Sequence, residues 1–588
     1  MEVVQLEHNF TVVDFVVFGA VLVLSSAIGL FYAVRDRWRN KITSTSVYLV
    51  GGRRMPLIPV TLSLLISFQS AILILGDSAE IYYHGFTFWW SSFGICLSAL
   101  FTSYIFLPIF YRLSLVSVYE YLELRFQSRA VRQVGAAFYI LVTIVYMAIA
   151  LYAPSVALNA VSNIPLWLLI LLCGLVCTFY VALGGISAVV WTDALQAGFM
   201  LAGMLAVLIL GILKAGGLWH IFEVALSEHR LDFNRGLNMD PFSYMNIPGA
   251  VFGALFSWLG WYGINQSSVQ RYCGMESFRS GKLALLMNIP FLFLAKSLVA
   301  LIGLVMLAYY LNCDPLKANQ ITDKDQLLPY FVMEVLADYP GIAGLFIACL
   351  YSGTLSTVSS GLNSLTAILW EDFIKHRKHG LSESNATLLA KWISLGFGFV
   401  STGLAFLAPY LGGILQSALS LMGAINGPLT GLFLVGVFLP WVRKKAAIIS
   451  TLISFIILLW LLIGRQFYPV STPMLSTSVQ NCSFFNYSIS QNFCSVDNED
   501  VQSLGGFANL YQLSLVLYDM VGILVVVLFS LILSCIFKDH LKCPQSDAIL
   551  FADKPYQFWL TIFGWTKIKT ADEKDMALLP FENVRLSS

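Results

Sequence analysis

Thirteen long apolar runs dominate this 588-residue sequence and leave few folds open to it. Each run is close to, or longer than, the ~20 residues with which an α-helix crosses a bilayer. The runs cover residues 12–33, 56–76, 86–111, 130–160, 164–184, 188–213, 246–264, 283–311, 341–369, 387–409, 411–441, 445–464 and 510–537. Only 11% of the residues are charged, whereas a soluble domain is roughly a quarter charged. We therefore predict an all-α polytopic membrane protein with about 13 transmembrane helices.

The charge balance and the histidines argue against several other functions. The formal net charge of +1 offers no basic field to nucleic-acid phosphates. The seven histidines are scattered over loops and span ends, and none pairs with a cysteine at metal-ligand spacing. We therefore predict that the chain is not an enzyme, with no catalytic residues, no organic cofactor and no nucleic-acid partner. Nothing in the sequence indicates an obligate protein partner.

Basic residues predict how the chain crosses the bilayer. Lys and Arg cluster in alternate short loops, which include Arg125, Arg132 and Arg271, and such loops stay on the cytoplasmic side. The first run follows an acidic segment and precedes a basic one, the reverse of the charge order in a signal peptide. We therefore expect the N-terminus outside and the C-terminus inside.

The segment 467–508 would lie outside in this topology. Asn481 and Asn486 each begin an Asn-x-Ser sequon, although sequons also occur by chance. Cys482 and Cys494 are close enough in sequence for a disulfide in an oxidising compartment. We therefore expect glycosylation at both asparagines and a bond between these two cysteines.

Polar residues interrupt the second apolar run over 61–80. Polar groups inside a span are costly and mark functional candidates. Four of them lie near the middle of the run, namely Ser63, Ser67, Gln69 and Ser70. Gly76 and Asp77 are then expected to end the helix. A discontinuous helix frees backbone carbonyls that can ligate sodium; the alternative is hydroxyl back-bonding within an intact helix.

A second polar stretch, 352–364, has seven Ser or Thr among 13 residues. Its hydroxyl and amide side chains recur at helical spacing, at Ser352, Ser356, Ser359 and Asn363. Hard cations prefer such oxygen ligands. Close helix packing would explain the glycines of this stretch, but not the density of hydroxyls. The stretch therefore favours an ion site.

Asp193 and Gln196 form a third polar pair, three residues apart near the start of a span. A carboxylate beside an amide can balance the charge of a passing cation. Thr192 or Asp193 could instead cap a helix N-terminus, and the pattern favours neither interpretation.

A fourth stretch, 257–271, combines tryptophan, tyrosine and amide side chains in a short apolar segment. This mixture suits a pocket for a small organic solute, and an interfacial aromatic belt is the alternative. Interruptions at 63–77 and 257–267 open two five-span blocks, as in an inverted-repeat secondary transporter.

Lys296 lies about mid-span, too deep to reach the interface easily. It needs a partner or a wet cavity. A substrate carboxylate, backbone carbonyls or a structural acid could each serve.

Five segments make the sequence recognisable. They are FYRLSLVSVYEYLELRF (110–126), LYAPSVALNAV (151–161), ALGGISAVVWTDALQ (182–196), YGINQSSVQRY (262–272) and GLFIACLYSGTLSTVSSGLNSLTAILWEDF (344–373). Through them the chain resembles the sodium:solute symporter family over nearly its whole length. It is most similar to the branch of the sodium-dependent multivitamin, sodium-coupled monocarboxylate and sodium/iodide transporters, and within it to the multivitamin members.

The resemblance implies a five-plus-five inverted-repeat core of the leucine-transporter type, with one extra helix before it and two after. The expected parts are an extracellular N-terminus with the first helix (1–45), the first repeat (56–213), an extracellular loop (214–245), the second repeat (246–441), two accessory helices (445–537) around the loop 467–508, and a cytoplasmic tail (538–588).

The resemblance also implies three sets of site residues. The sodium site takes Ile66, Gln69, Gly353, Ser356 and Thr357. A second sodium or coupling cluster takes Ser67, Tyr146, Asp193, Gln196 and Gln266. Substrate positions fall on Phe68, Leu73, Trp258, Asn265 and Gln416, to which we add Lys296 as a candidate.

We therefore expect a plasma-membrane symporter that couples sodium to the import of a small organic anion, a biotin- or pantothenate-like vitamin or a short monocarboxylate, by alternating access. Leu73 replaces a glutamine of the iodide symporter, which weighs against iodide, and Ser268 replaces a tyrosine of the sugar relatives. An inorganic-anion transporter, an ion channel and a non-transporting sodium sensor are the alternatives. The expected partners are sodium, the organic anion and the lipid bilayer.

Overall fold

The computed structural model describes residues 10–39, 55–162, 164–232, 236–336, 338–375, 382–411, 413–468, 474–480, 482, 506–538, 550–552 and 555. Its helices are α1 Val12–Arg39, α2 Leu57–Ile66, α3 Ala71–His84, α4 Ser91–Phe101, α5 Leu107–Leu113, α6 Glu120–Phe126, α7 Arg129–Val161, α8 Leu166–Lys214, α9 Leu218–Ser227, α10 Ile247–Leu259, α11 Gln266–Cys273, α12 Phe278–Tyr309, α13 Leu327–Leu336, α14 Ile342–Ile368, α15 Glu383–Ala405, α16 Ile414–Phe438, α17 Lys444–Phe467 and α18 Tyr518–Ile536. The all-α prediction is confirmed for these residues.

Ten helices in the described part of the chain are long and apolar enough to cross a membrane. The pair α2 and α3, bent by 53° at its break, raises the number to as many as 11. Two shorter apolar helices, Val12–Ile28 and Leu166–Phe179, coincide with further predicted runs. The count of 13 spans stays a prediction.

The first interruption divides one span into α2 and α3. Helix α2 ends at Ile66, and α3 begins at Ala71 after four residues that leave the helix. The expectation that Gly76 and Asp77 end the helix is wrong, because α3 runs through both of them. Gly76 instead lets α3 pack closely on α16, since a Cβ there would lie 2.7 Å from the Cβ of Leu415.

The second interruption forms within 257–267, as the polar pattern predicts. Helix α10 passes into a π-helical turn, Gly260–Ile264, and Asn265 is extended before α11 begins. The Asn265 side chain accepts a hydrogen bond from the backbone N–H of Ser267 at 2.9 Å and so caps α11. Polar side chains therefore stabilise the free helix end that this break creates.

Helix α14 lies at the centre of the fold. Nearly every residue from Ala343 to Ile368 is buried, including the Ser and Thr residues of 352–364. The hydroxyl stripe therefore faces other helices of the protein, because a lipid-facing position would leave it exposed in the isolated chain.

The tail segment 550–552 packs on α6 and on the end of α16, which the sequence did not indicate. The Tyr121 hydroxyl donates to the Leu550 carbonyl at 2.9 Å. The Phe551 ring, 1% exposed, lies 4.5 Å from the Arg125 guanidinium, which also donates to the Gly436 carbonyl at 2.8 Å. Arg125 is therefore a buried anchor, although the sequence placed it among free loop charges.

The predicted bond between Cys482 and Cys494 is wrong, because Cys482 is bonded to Cys313 with the two Cα atoms 5.1 Å apart. The 474–480 segment lies over the loop after α12, where the Asp314 N–H donates to the Ser478 carbonyl at 2.9 Å. The proximity comes from this loop contact, and sequence spacing gives no signal of it. Cys494 and the two glycosylation candidates, Asn481 and Asn486, lie outside the described residues.

We expect Cys313→Ser and Cys482→Ser to lower the melting temperature of the purified protein by similar amounts. A bond across 169 residues restricts the unfolded chain, and such closures contribute about 4–5 kcal/mol. The double variant should melt no lower than either single variant, as measured by fluorescence in detergent. Additive losses in the double variant would contradict the pairing.

Candidate functional site

The first break of the chain lies directly against α14. The Thr357 hydroxyl is 3.0 Å from the carbonyl oxygens of both Ser67 and Gly353. Gly353 allows this approach, because a Cβ there would lie 2.7 Å from the Gln69 carbonyl oxygen. The structure therefore brings together two segments that are almost 300 residues apart in sequence.

This junction is rich in neutral oxygen atoms. The Ser356 hydroxyl is buried beside the Asp193 carboxylate and makes no well-aligned hydrogen bond among the described residues. The backbone carbonyl of Ile66 accepts a turn-type bond from the Gln69 N–H at 3.2 Å. Backbone carbonyls and hydroxyls together fit a hard monovalent cation. The five residues predicted for the sodium site are thus gathered at one place.

Asp193 lies beside the same junction, in a buried charge network. Its Oδ2 accepts from the Ser63 hydroxyl at 2.5 Å and from Arg271 Nη2 at 3.1 Å. Arg271 also donates to Ser360 Oγ at 2.5 Å. Ser360 in turn lies 3.0 Å from the Ser67 hydroxyl. The network therefore connects α8 and α11 to the break after α2.

The helix-cap interpretation of Asp193 is wrong. Helix α8 bends at Gly185, whose φ of 62° and ψ of −167° interrupt the helix, and its second arm runs over Ala188–Lys214. Asp193 lies inside that arm and is fully buried. It bonds side chains of other helices instead of the free N–H groups of a helix start.

Arg271 is the site residue that sequence reasoning missed. The positive-inside pattern placed it in a cytoplasmic loop, but it lies in α11 with 1% of its surface exposed. Besides its contact with Asp193, it donates to Ser63 Oγ and to the Ser267 carbonyl, each at 2.7 Å. One signal was available: Ser267 and Arg271 are four residues apart, directly after a predicted break.

The second predicted cluster is only partly assembled. The Tyr146 hydroxyl lies 3.4 Å from Ser70 Oγ, at the break itself. Both amide atoms of Gln196 are buried without a partner among the described residues. Gln266 does not join the network around Asp193, because its amide donates to the Val116 carbonyl at 2.6 Å and accepts from the Val118 N–H at 2.8 Å.

Aromatic rings surround Phe68, a predicted substrate position within the first break. Its centroid lies 6.2 Å from Trp258, 5.6 Å from Trp261 and 6.1 Å from Tyr262. Trp258 was predicted, while Trp261 and Tyr262 were recognised only as part of an aromatic stretch. The two interruptions of the chain therefore meet at an aromatic cluster. Asn265, at the end of this stretch, accepts from the Tyr139 hydroxyl at 3.3 Å.

Gln416 lies at a small cavity near the start of α16. The cavity has about 10 Å³ of space, room for one water molecule, and Glu80, Tyr244 and Leu415 also line it. Gln416 Nε2 is 3.4 Å from the Tyr244 hydroxyl, which donates to Glu80 at 3.0 Å. Leu73, a further predicted substrate position, is half-buried on α3.

Asp325 fixes the start of α16 from outside the spans. Its Oδ2 accepts from the backbone N–H of Ile414 at 2.7 Å, two residues before Gln416. Burial raises the pKa of this carboxyl group to about 6, and the hydrogen bond from Ile414 opposes part of that rise.

Lys296 has an acid partner within the protein. Its Nζ lies 2.5 Å from Asp77 Oδ2, and both side chains are buried. The Phe88 ring centroid lies 4.5 Å from the same ammonium. The sequence left three kinds of partner open for Lys296, and in the structure its partner is an acid, Asp77.

Two interrupted spans, with the first break against a hydroxyl-lined helix, define the chain as a secondary transporter of the leucine-transporter type. The sodium:solute symporter family profile matches residues 48–454. The chain belongs to the sodium:solute symporter family, as the sequence resemblance predicted.

Several curated proteins are similar over most of their length. The sodium-coupled monocarboxylate transporter 1 of Xenopus laevis is 38% identical, with 96% of this chain and 92% of that protein covered. The sodium-coupled monocarboxylate transporter 2 of Homo sapiens is 40% identical, covering 90% and 84%. The sodium-dependent multivitamin transporter of Oryctolagus cuniculus is 38% identical, covering 95% and 88%. These relatives are transporters and not enzymes, and identity alone does not choose between their substrates.

A solved structure supports the fold. The substrate-bound, outward-open Na⁺-coupled sialic acid symporter superposes with a TM-score of 0.73 at 24% identity, covering 90% of this chain and 99% of that one. The leucine-transporter-type architecture predicted from the resemblance is thereby confirmed. Membership of a sodium-coupled family supports sodium as the co-transported ion.

Proposed function

We propose that the protein is a plasma-membrane symporter that uses the sodium gradient to import a small organic anion by alternating access. The contact between the first break and α14, at Thr357, carries this proposal. Relatives named for monocarboxylates and for several vitamins favour an organic acid, such as a short monocarboxylate or a biotin- or pantothenate-like vitamin.

The main sodium site is assigned to the carbonyls of Ile66, Gln69 and Gly353 and the hydroxyls of Ser356 and Thr357. Two of these residues come from the free end of α2 and three from α14, so a bound ion bridges the break to the central helix. Sodium binding thereby stabilises the conformation of the break that receives substrate. Coupling is reciprocal, so bound substrate raises sodium affinity by the same factor.

The second sodium or coupling role is assigned to Asp193 and Ser67, which the buried network connects through Ser360 and Arg271. Gln196, whose amide has no partner among the described residues, and Tyr146 at the break are included with them. Gln266 does not contact this network. It is kept in the proposal because it lies in α11, the helix that also contains Arg271. Because Asp193 is linked through Ser63 to α2, a change of charge at this site would be transmitted to the break.

The substrate site is assigned to the space between the two breaks, with Phe68, Trp258, Asn265, Leu73 and Gln416 around it. Aromatic rings and a few amide groups suit an organic solute better than a bare inorganic anion. This composition supports an organic acid over an iodide-like substrate.

The orientation of the chain is also part of the proposal. Positive-inside counting places both the loop after α12 and the segment 467–508 outside. The bond between Cys313 and Cys482 agrees with that placement, because disulfides persist in oxidising compartments. The sequons at Asn481 and Asn486 would then face the same compartment.

The driving force is sufficient for accumulation. A tenfold sodium gradient supplies about 1.4 kcal/mol per ion. A potential of about 60 mV adds a similar amount per net charge, from ~2.3 kcal/mol per 100 mV. For an assumed stoichiometry of two sodium ions with one monovalent anion, one net charge moves, giving ~4.2 kcal/mol and roughly thousandfold accumulation.

Radiolabelled uptake into expressing cells tests the function. The panel contains biotin, pantothenate, lactate, butyrate, nicotinate, iodide and a sugar, each in sodium and in choline medium. We expect saturable, sodium-dependent accumulation of at least one organic acid and none of the sugar. Sodium-dependent uptake of iodide and of no other compound would support the inorganic-anion alternative. Sodium-evoked currents without uptake would support a channel or a sensor and contradict the proposal.

A further inference from the structure

The ion pair between Lys296 and Asp77 has unused binding capacity in the interior of a membrane protein. An ammonium group has three N–H donors. Among the described residues, Lys296 makes one hydrogen bond, to Asp77 Oδ2, and its ammonium also makes a cation–π contact with the Phe88 ring. Asp77 Oδ1 is buried and has no partner in the same part of the chain. A purely structural pair would normally have its remaining polar atoms satisfied.

Lys296 is also the one buried basic side chain of the described spans that is not fully engaged by the protein. The buried basic residues of the described chain are Arg125, Arg132, Arg230, Arg271 and Lys296. Arg271 donates through all three of its nitrogens. Arg125 and Arg132 bind carbonyls and carboxylates beside α6. Arg230, whose Nε and Nη1 also lack partners among the described residues, lies in the loop after α9, outside the spans.

The pair lies close to two of the proposed substrate positions, Leu73 and Gln416. Asp77 is four residues beyond Leu73 on α3, so the two side chains share one helix face a turn apart. Gly76, next to Asp77, packs on Leu415, which lines the same cavity as Gln416. Phe88, the ring beneath the Lys296 ammonium, belongs to the same apolar cluster as Leu415.

We propose that Lys296 is the residue that recognises the substrate carboxylate, and that Asp77 is a resident counter-ion which the carboxylate displaces. This inference rests on the proposed function and specifies its substrate class as a carboxylate anion. An unpaired buried charge is strongly unfavourable. Asp77 therefore pairs with the ammonium when no substrate is bound. As the incoming carboxylate takes over that contact, the displaced Asp77 takes up a proton from the aqueous solution, so that no buried charge is left without a partner. A neutral ester or amide cannot replace Asp77, so the exchange selects acids.

Ligand-induced thermal stabilisation of the purified protein, in about 150 mM sodium chloride, is a test that does not require transport. Two matched pairs of probes are biotin with biotin methyl ester and butyrate with butyramide. The measurement is the rise in melting temperature as each probe is titrated, which gives an apparent affinity. Uptake of labelled biotin and butyrate into proteoliposomes is measured in parallel.

We expect Lys296→Gln to weaken the effective acid at least about tenfold, equivalent to ~1.4 kcal/mol, while the neutral analogue changes little. Asp77→Asn should strengthen the acid several-fold, since the competing carboxylate is gone. The double variant should behave like Lys296→Gln, and it stays informative if either single variant fails to fold. Lys214→Gln is the matched control, because Lys214 forms an exposed ion pair with Asp338 at the end of α8, and it should leave the ratio of acid to neutral affinity unchanged.

A structural ion pair predicts different results. Both single variants would lose stability, the double variant would regain it, and acid and neutral probes would weaken equally; that pattern would overturn the inference. If the wild-type protein neither accumulates an acid with sodium nor is stabilised by one, the proposed function itself fails. The two failures are therefore distinguishable, because failure of the proposed function appears in the wild-type protein, whereas failure of this inference appears only in the variants.

Discussion

Thr357→Ala is expected to abolish sodium-dependent uptake while the protein still reaches the cell surface. The Thr357 hydroxyl is the side-chain group of α14 that lies against the carbonyls of Ser67 and Gly353. Its loss removes one proposed ion ligand and one of the contacts between α14 and the first break. A buried hydrogen bond contributes only about 1 kcal/mol to stability, so folding should survive. Uptake in sodium and in choline, with surface biotinylation, is the measurement.

Two further variants separate ion binding from packing. Thr366→Ala is the matched control, because Thr366 is buried in the same helix but its hydroxyl bonds the Leu362 carbonyl of its own helix at 2.7 Å. It should transport nearly as the wild type does. Thr357→Ser retains the hydroxyl and should restore sodium-dependent uptake. Normal sodium dependence in Thr357→Ala would remove this residue from the ion site.

Asp193→Asn is expected to raise the sodium concentration for half-maximal uptake by about tenfold, which corresponds to ~1.4 kcal/mol. The substitution removes the negative charge between Ser63 and Arg271 and leaves the buried guanidinium without its counter-ion. Removing one partner of a buried pair typically costs about 3–5 kcal/mol, so part of the loss should appear as lower expression. Sodium titration of initial uptake rates, normalised to surface protein, measures the effect.

Asp372→Asn provides the comparison for Asp193→Asn. Asp372 is also a buried carboxylate beside an arginine, 2.5 Å from Arg132, but its other bond is to Ser117, outside the network of Ser63, Asp193 and Arg271. It should lower expression without moving the sodium curve. An unaltered sodium curve in Asp193→Asn as well would reduce the network to a structural role.

Local features of the site could be predicted from the sequence with useful accuracy. The polar residues around Ser67 and Gln69 indicated a break, and the helix is interrupted there, between Ile66 and Ala71. The spacing of hydroxyls over 352–364 indicated one helix face, and α14 is buried along that face. Both inferences depend on neighbouring residues only. The end of the break was misplaced at Gly76, whose fit depends on Leu415, far away in sequence.

Partners distant in sequence could not be predicted in the same way. The positive-inside pattern assigned Arg271 to a loop because it is a basic residue, yet the fold places it against Asp193 in the interior. Gln266 was grouped with Asp193, but α11 presents its amide to residues 116–118. Cys482 bonds to Cys313, which is 169 residues away, and not to Cys494, the partner predicted from its proximity in sequence.

The sequence by itself determined that this chain crosses a membrane many times, where two spans are interrupted, and to which family it belongs. Apolar run length and polar interruptions are properties of short segments, and a bilayer acts on each segment in the same way. The tertiary structure alone decided which charges neutralise each other, including Lys296 with Asp77 and Arg271 with Asp193. A buried charge needs a partner close in space, and helix packing chooses that partner without regard to distance along the chain.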